Sequence, residues 1–367
     1  MKPFKYGCVV SGENFCPRPE LERQLQEFAA SGQNLVIQGE RRMGKTSLIK
    51  HAIGGMRKMR LVYIDLYYIN SLSDFCGRVM KGIAKASEEM SFLKKAVQLA
   101  FRLRPVIAVD PKDGSTTISV DTRAAAEPDS LGAVLSTLAK IAADGRTCIV
   151  FDEFQDILKI ENAMAVLAEM RSVIQFQADT PYFFTGSVRN DMMSIFDNMD
   201  SPFYKSALTF TVDEIDQVAF TKFIAERFRK GDRHIENGVI AKIIDFADGV
   251  SGDVQELCEA LWETTGSGAE VSSDDFSAAI ELIFSRERGG YEAIVERLTN
   301  PQARLLCALA KNGGAQVYSA DFAANVNMPV STIRRVISRL EEDRLIFRRK
   351  GVYRFSNPFF REWLSRS

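Results

Sequence analysis

Histidine is nearly missing from this chain: His51 and His234 are the only two among 367 residues. Two imidazoles argue against a histidine-rich metal centre and against a Ser-His-Asp hydrolase. The six cysteines stand at 8, 16, 76, 148, 258 and 307 and form no Cys-x-x-Cys pair. That spacing disfavours a zinc ribbon or a redox dithiol and suits a reduced, intracellular chain. No apolar run approaches the roughly eighteen residues of a membrane-spanning helix, and Met1-Lys2-Pro3-Phe4-Lys5 leads into no apolar signal-peptide core. Charge of one sign is also lacking, since the formal net charge is −1, so global electrostatics select no acidic or basic partner. Internal repeats and low-complexity tracts are absent. These absences together lead us to expect a soluble, cytoplasmic protein with no membrane partner.

What is present is ordinary globular material. Hydrophobic residues make up 46% and charged residues 26%, enough for a sizeable core, and the length suits two or three domains. After an extended start, Glu20 to Ala29 has a helical stripe of Leu21, Leu25 and Phe28. Short apolar runs read as strands at 34–38, 61–66, 148–151, 182–184 and 208–211, separated by helical sequence. Strands alternating with helices predict an α/β fold with a doubly wound, mainly parallel sheet. Two β-rich runs near 105–120 flank Asp110-Pro111-Lys112-Asp113-Gly114 and predict a hairpin that leaves the main sheet. The preceding helical sequence extends to about Leu103. From about Asp213 the strands stop and helical spacing takes over, with Gly289-Gly290 as the joint to a last domain. The expected division is a core over 1–212, an all-helical lid over 213–288 and a winged helix over 289–367.

The first chemical signal is Gly39-Glu40-Arg41-Arg42-Met43-Gly44-Lys45-Thr46, between an apolar strand and a helix. It matches G-x-x-x-x-G-K-[ST], the pattern of a phosphate-binding loop. Glycines let the backbone turn tightly and approach phosphate oxygens. The loop N–H groups and the helix N-terminus aim partial positive charge at the anion. Lys45 then reaches the β- and γ-phosphates, and the Thr46 hydroxyl ligates Mg²⁺. Chance matches are rare, on the order of one per hundred chains of this length. ATP or ADP with Mg²⁺ is the expected cofactor.

The second half of such a site is a carboxylate at a neighbouring strand tip, and Cys148-Ile149-Val150-Phe151-Asp152-Glu153 supplies it. Asp152 is expected to hold Mg²⁺ and Glu153 to polarise the attacking water. Gln155 is a candidate for positioning that water. Thr185-Gly186-Ser187 ends the next strand; a hydroxyl there, with Ser187 the candidate, either senses the γ-phosphate, holds the lytic water or caps a helix. Arg189 either contacts phosphate, within the subunit or across an interface, or lies at the surface. Arg41 and Arg42 make the loop unusually basic.

These residues resemble the P-loop NTPases of the STAND class, within the wider AAA+ group, and most of all the compact archaeal-type ATPases with a helical lid and a winged helix. The resemblance spans nearly the whole chain. Asn14-Phe15-Cys16-Pro17-Arg18-Pro19-Glu20-Leu21 matches the family's leading segment, except that Pro17 stands where a glycine is usual. There the resemblance implies that Arg18 lies near the adenine. Gly39 through Ser47 are similar to its loop with paired arginines, Asp152-Glu153-Phe154-Gln155 to its acidic strand tip, and Gly186-Ser187 to its sensor. Ser201-Pro202-Phe203-Tyr204-Lys205 resembles the turn that follows that sensor. Ser356-Asn357-Pro358-Phe359-Phe360 with Trp363-Leu364 resembles its closing segment. Two departures stand out in the lid. Gly249-Val250-Ser251 replaces Gly-x-Pro, and Gln255 stands where origin-initiator ATPases use a sensing arginine, a charge that an amide cannot supply. Lys205 and Arg189 are candidate substitutes. The implied activity is Mg²⁺-dependent ATP hydrolysis by a molecular switch, with Lys45, Glu153, Ser187 and Arg189 in the catalytic set.

From Ser331 to Ser367 ten Lys/Arg face four Asp/Glu. Arg334, Arg335 and Arg339 fall on the third helix of the last domain, and Arg348, Arg349 and Lys350 on its wing. This is a DNA-binding layout. In the family the resemblance points to, the same domain also packs on the nucleotide domain, so both readings stay open. DNA, a protein partner and a second copy of the chain are the candidate macromolecular partners.

Overall fold

The computed structural model describes residues 3–87, 105–109, 116–120, 128–143, 146–186 and 189–366. They form two compact units, Ser11–Asp213 and Met1–Val10 with Glu214–Ser367.

The first unit contains β1 (Leu35–Gln38), β2 (Arg60–Asp65), the pair β3 (Pro105–Val109) and β4 (Thr116–Val120), β5 (Thr147–Asp152), β6 (Tyr182–Gly186) and β7 (Leu208–Thr211). Five of these strands make one sheet in the order β2-β5-β6-β1-β7, and every pairing in it is parallel. The strands read as continuous apolar runs because both faces are covered; Leu35 through Ile37 and Cys148 through Phe151 are fully buried. Helices α1 (Pro19–Ala30), α2 (Lys45–Gly54), α3 (Leu72–Ser87), α4 (Pro128–Ala143), α5 (Ala163–Ile174) and α6 (Arg189–Phe196) complete the unit. The doubly wound α/β expectation is met. β3 and β4 pair antiparallel in a separate two-stranded sheet. The turn expected between them, and the helical sequence expected over 88–103, lie outside the described residues.

The order places β1 between β6 and β7, while the chain next continues to β2 at the sheet's far edge. Ligands of open α/β sheets bind beyond the carboxyl ends of the strands at such a reversal. Beneath that end lies an aromatic cluster. Phe184 stands 4.6 Å from Phe154, 5.2 Å from Phe196, 5.4 Å from Phe203 and 5.9 Å from Phe151, between ring centroids.

The second unit is helical: α7 (Gln217–Lys230), α8 (Asn237–Phe246), α9 (Ser251–Thr264), α10 (Ser273–Arg297), α11 (Asn300–Asn312), α12 (Ala320–Asn325), α13 (Val330–Glu342) and α14 (Pro358–Arg366). One feature corrects the sequence reading. Strands do not stop at Asp213, because β8 (His234–Ile235) pairs in parallel with β9 (Glu270–Val271); two residues are too short to show alternation. Gly289-Gly290, the expected joint, lies within a continuous helix, since α10 runs straight through it. Helical glycine costs only about 1 kcal/mol, and Tyr291 packs at 5.3 Å from Phe360 and 5.7 Å from Trp363. The leading residues also belong here rather than to the core. Phe4 lies 5.1 Å from Phe228 and 6.4 Å from Trp262, and Arg227 donates to the Pro3 carbonyl at 2.6 Å.

After α13 the strands β10 (Ile346–Arg349) and β11 (Val352–Phe355) form the antiparallel wing. The closing segment is a helix, α14, whose first amides at Phe359 and Phe360 donate to the Asn357 side chain at 2.8 and 3.0 Å. Such a cap with Pro358 at the first position fixes where the helix starts. No described helix is long and apolar enough to cross a membrane.

Replacing Phe184 by alanine removes the hub of the aromatic cluster. The first unit is expected to lose about 3–5 kcal/mol, measured by urea unfolding followed by circular dichroism.

Candidate functional site

The loop between β1 and α2 is built by backbone constraint. A Cβ on Gly39 would stand 2.6 Å from the Val212 carbonyl oxygen, just after β7, so only glycine fits. Gly44 has φ +81° and Arg42 φ +67°, left-handed conformations that turn the chain into α2. Lys45 opens that helix and is buried. Its ammonium donates to the Gly39 carbonyl at 2.7 Å and the Glu40 carbonyl at 3.1 Å. Burial lowers the Lys45 pKa, while the negative charges of Glu153, Asp152 and Glu40 oppose that shift. A buried cation folded onto neutral carbonyls is a site that an anion stabilises.

Asp152 ends β5 and is 7% exposed. Its Oδ2 accepts from the Thr46 hydroxyl at 2.8 Å and from the Tyr63 hydroxyl. Its Oδ1 accepts from the Thr185 hydroxyl at 2.6 Å and from the Glu153 amide at 3.1 Å. Burial, followed by the charge of Asp152, pushes the Tyr63 phenol well above its ordinary pKa. The Lys50 ammonium sits 4.0 Å from the centre of the Tyr63 ring.

The loop hydroxyl and the strand-tip carboxylate thus meet directly. Among the described residues no group of three or more His, Cys, Asp or Glu can hold a metal by itself. One hydroxyl and one carboxylate are a poor cage for zinc or calcium. They suit Mg²⁺, which keeps several waters and completes its shell with substrate phosphates.

Glu153 follows in a left-handed conformation, φ +51°. Its Oε2 accepts from the Gln155 side-chain amide at 2.5 Å. Gln155 is only 3% exposed, and its Oε1 has no hydrogen-bond partner. Gly186 leaves it room, because a Cβ there would meet that oxygen at 2.4 Å. Ser187 lies outside the described residues, and Arg189 is the first residue of α6. Met43 and Ser47 are buried, Glu40 and Arg42 half-buried, and Arg41 exposed.

Arg18 is placed by backbone partners. Its guanidinium donates to the Met43 carbonyl at 2.7 Å, inside the phosphate loop, and to the Asp213 carbonyl at 3.2 Å. Burial brings its pKa down to about 10, against the opposing charges of Cys16 and Glu22. Arg18 therefore braces the loop from behind, and no motif signals that role. Tyr63 is a residue that sequence reading missed, and Thr185 was marked only as part of a strand end. Their only signal is a hydroxyl on strands flanking the acidic one.

In the second unit Gln255 is buried on α9, and its Oε1 has no hydrogen-bond partner. Two arginines of the wing and one of α14 are engaged. Arg349 pairs with Glu214 at 2.5 Å, Arg354 pairs with Asp248, and Arg361 reaches Asp248 at 3.4 Å. Arg339 pairs with Glu342 at 3.0 Å, whereas Arg334, Arg335, Arg348 and Lys350 are exposed. In the first unit Lys205 is exposed, 5.2 Å from the Tyr204 ring centre.

Comparison with known proteins follows this geometry. A model of a probable winged helix domain matches residues 289–366. The Walker-type ATPase paby2304 of Pyrococcus abyssi is similar over 96% of each chain, at 19% identity and a TM-score of 0.65. The Aeropyrum pernix ORC2 protein in its ADPNP–ADP complexes is similar over 98% of this chain and 96% of its own, at 14% identity and a TM-score of 0.54. Its ADP form gives 12% identity and a TM-score of 0.51, over 96% of this chain and 97% of its own. No curated protein matches by sequence. The fold is therefore the one shared with the Pyrococcus abyssi Walker-type ATPase and the Aeropyrum pernix ORC2 protein, with a winged helix over its last residues.

Replacing Arg18 by methionine leaves two carbonyls without their charged donor. The ligand-free protein is expected to lose about 1–3 kcal/mol, measured by denaturant unfolding in the absence of nucleotide.

Proposed function

We propose that the chain is an ATP-binding and ATP-hydrolysing switch of the STAND class, dependent on Mg²⁺, in which nucleotide state controls the position of the lid and winged helix. The observation that carries this is the Thr46–Asp152 hydrogen bond beside the buried Lys45 ammonium. It joins a phosphate loop to a metal-type carboxylate from a strand 106 residues away in sequence. A neighbour in fold has been solved with ADPNP and ADP, which supports a nucleotide as the anion.

In this reading Gly39, Glu40, Arg41, Arg42, Met43, Gly44, Lys45, Thr46 and Ser47 wrap the phosphates, with Arg18 bracing the loop. Lys45 leaves the loop carbonyls for the β- and γ-phosphates. Thr46 and Asp152 hold Mg²⁺, which neutralises charge on the phosphates when bound. Glu153 accepts a proton from the attacking water, and the Gln155 amide aims its carboxylate. Ser187 and Arg189 complete the γ-phosphate contacts. The absence of an arginine at Gln255 supports slow turnover, which suits a switch better than a motor.

A second reading is a DNA-binding remodeler or loader, favoured by exposed Arg334, Arg335, Arg348 and Lys350. Duplex binding that weakens steeply with salt and persists without ATP would select it. Homo-oligomerisation and a protein client are compatible with either reading.

Lys45→Ala is expected to abolish binding of a fluorescent ATP analogue; tight binding by the variant would remove the site. Glu153→Gln is expected to keep that binding and lower single-turnover hydrolysis by about 10²-fold or more. Unchanged hydrolysis would leave nucleotide in a structural role only.

A further inference from the structure

The carboxylate of Asp152 has no acceptor capacity to spare. An ionised carboxylate offers about four lone-pair sites. Four donors fill them: the hydroxyls of Thr46 and Tyr63 on Oδ2, and the Thr185 hydroxyl with the Glu153 amide on Oδ1. To bind a metal, or to accept from a water in its shell, the carboxylate needs one of those sites back.

The four donors differ in their freedom to leave. The Glu153 amide is main chain, next to Asp152 itself. Thr185 is fully buried within β6, with a short side chain bonded at 2.6 Å. Thr46 need not leave, because its oxygen can ligate a metal while its proton stays on Oδ2. Tyr63 remains. It reaches Asp152 from β2 with a long side chain and is half-buried. Its ring has a cation against it, Lys50 at 4.0 Å.

We propose that the Tyr63 hydroxyl is a placeholder for the metal shell. It holds the Asp152 carboxylate in the metal-free protein and is displaced when Mg²⁺ enters with nucleotide, so that it sets the Mg²⁺ concentration at which the site fills. This rests on the Mg²⁺–nucleotide reading above. On this account Tyr63 is a positioning residue that acts through Asp152. It favours the empty state, and removing its hydroxyl tightens the metal site.

The test titrates Mg²⁺ against binding of a fluorescent ATP analogue, in wild type and in Tyr63→Phe. The variant is expected to reach half-saturation at about tenfold lower Mg²⁺, the equivalent of one charge-assisted hydrogen bond. Nucleotide affinity in EDTA is expected to stay the same. An unchanged or higher Mg²⁺ requirement overturns the placeholder and leaves the nucleotide site standing. Wild-type binding that ignores Mg²⁺ overturns the site reading itself, and the placeholder with it. A second measurement needs no variant: Mg²⁺ with pyrophosphate is added to the wild type and tyrosine difference absorption is recorded. A shift to shorter wavelength is expected as a phenol loses its carboxylate acceptor, and no shift overturns the proposal.

Discussion

The site depends on one constraint: two opposite charges are buried, Lys45 at the start of α2 and Asp152 at the tip of β5, and each must be satisfied by polar groups held around it. Asp152 is the clearer case. β2 and β5 align Asp65 with Asp152, and β5 and β6 align Phe151 with Phe184. That register sets Thr185 beside the carboxylate and brings Tyr63 from the other side. A slip of one residue in either strand would turn the opposite face toward Asp152, leaving a buried carboxylate with fewer donors, at a cost of several kcal/mol. The polar site therefore selects its own sheet register, and the apolar strands alone would select it less sharply.

The same logic explains why the support below the site is aromatic. Phe151, Phe154 and Phe184 precede or follow the polar residues by one or two positions, so packing and polar satisfaction share one backbone. Phe154 and Phe184 lie 4.6 Å apart just beneath Asp152 and Thr185. Rigid rings fix the strand ends to within the tolerance a hydrogen-bonded carboxylate needs. Gln155, next to Phe154, then holds Glu153 in its left-handed turn.

Sequence reading reached the parts of this site that are local. A glycine loop between strand and helix, and two acids after an apolar run, carry their chemistry in consecutive residues. Tyr63 escaped, and Thr185 was marked only as part of a strand end, because a lone hydroxyl in a strand has no meaning until its neighbouring strand and register are known. Arg18 was noticed, but its partners at Met43 and Asp213 are carbonyl oxygens, which every residue has and no pattern marks. The joint placed at Gly289-Gly290 coincides with the start of the matched winged helix domain, yet it lies inside a continuous helix, where Tyr291 packs on Phe360 and Trp363. The pair β8–β9 is too short for any periodicity to reveal.

Charge counting in the last domain needs the same correction. Ten basic residues against four acidic ones after Ser331 read as an anion-binding surface. The structure places Arg339, Arg349, Arg354, Arg361 and Arg366 against carboxylates of their own unit. Asp248 alone takes Arg354 and Arg361, and its backbone carbonyl accepts from Arg349 at 3.4 Å. A guanidinium already paired offers a polyanion little net attraction, because binding must first break the pair it has. Two wing arginines, Arg349 and Arg354, are thus tied to Glu214 and Asp248 of the helical segment, and Arg361 of α14 shares Asp248. This arrangement favours a winged helix that is held in a set position within its unit over one built chiefly to grip phosphates. It also narrows any nucleic-acid surface to Arg334 and Arg335 on α13, Arg344 just after it, and Arg348 and Lys350 on the wing.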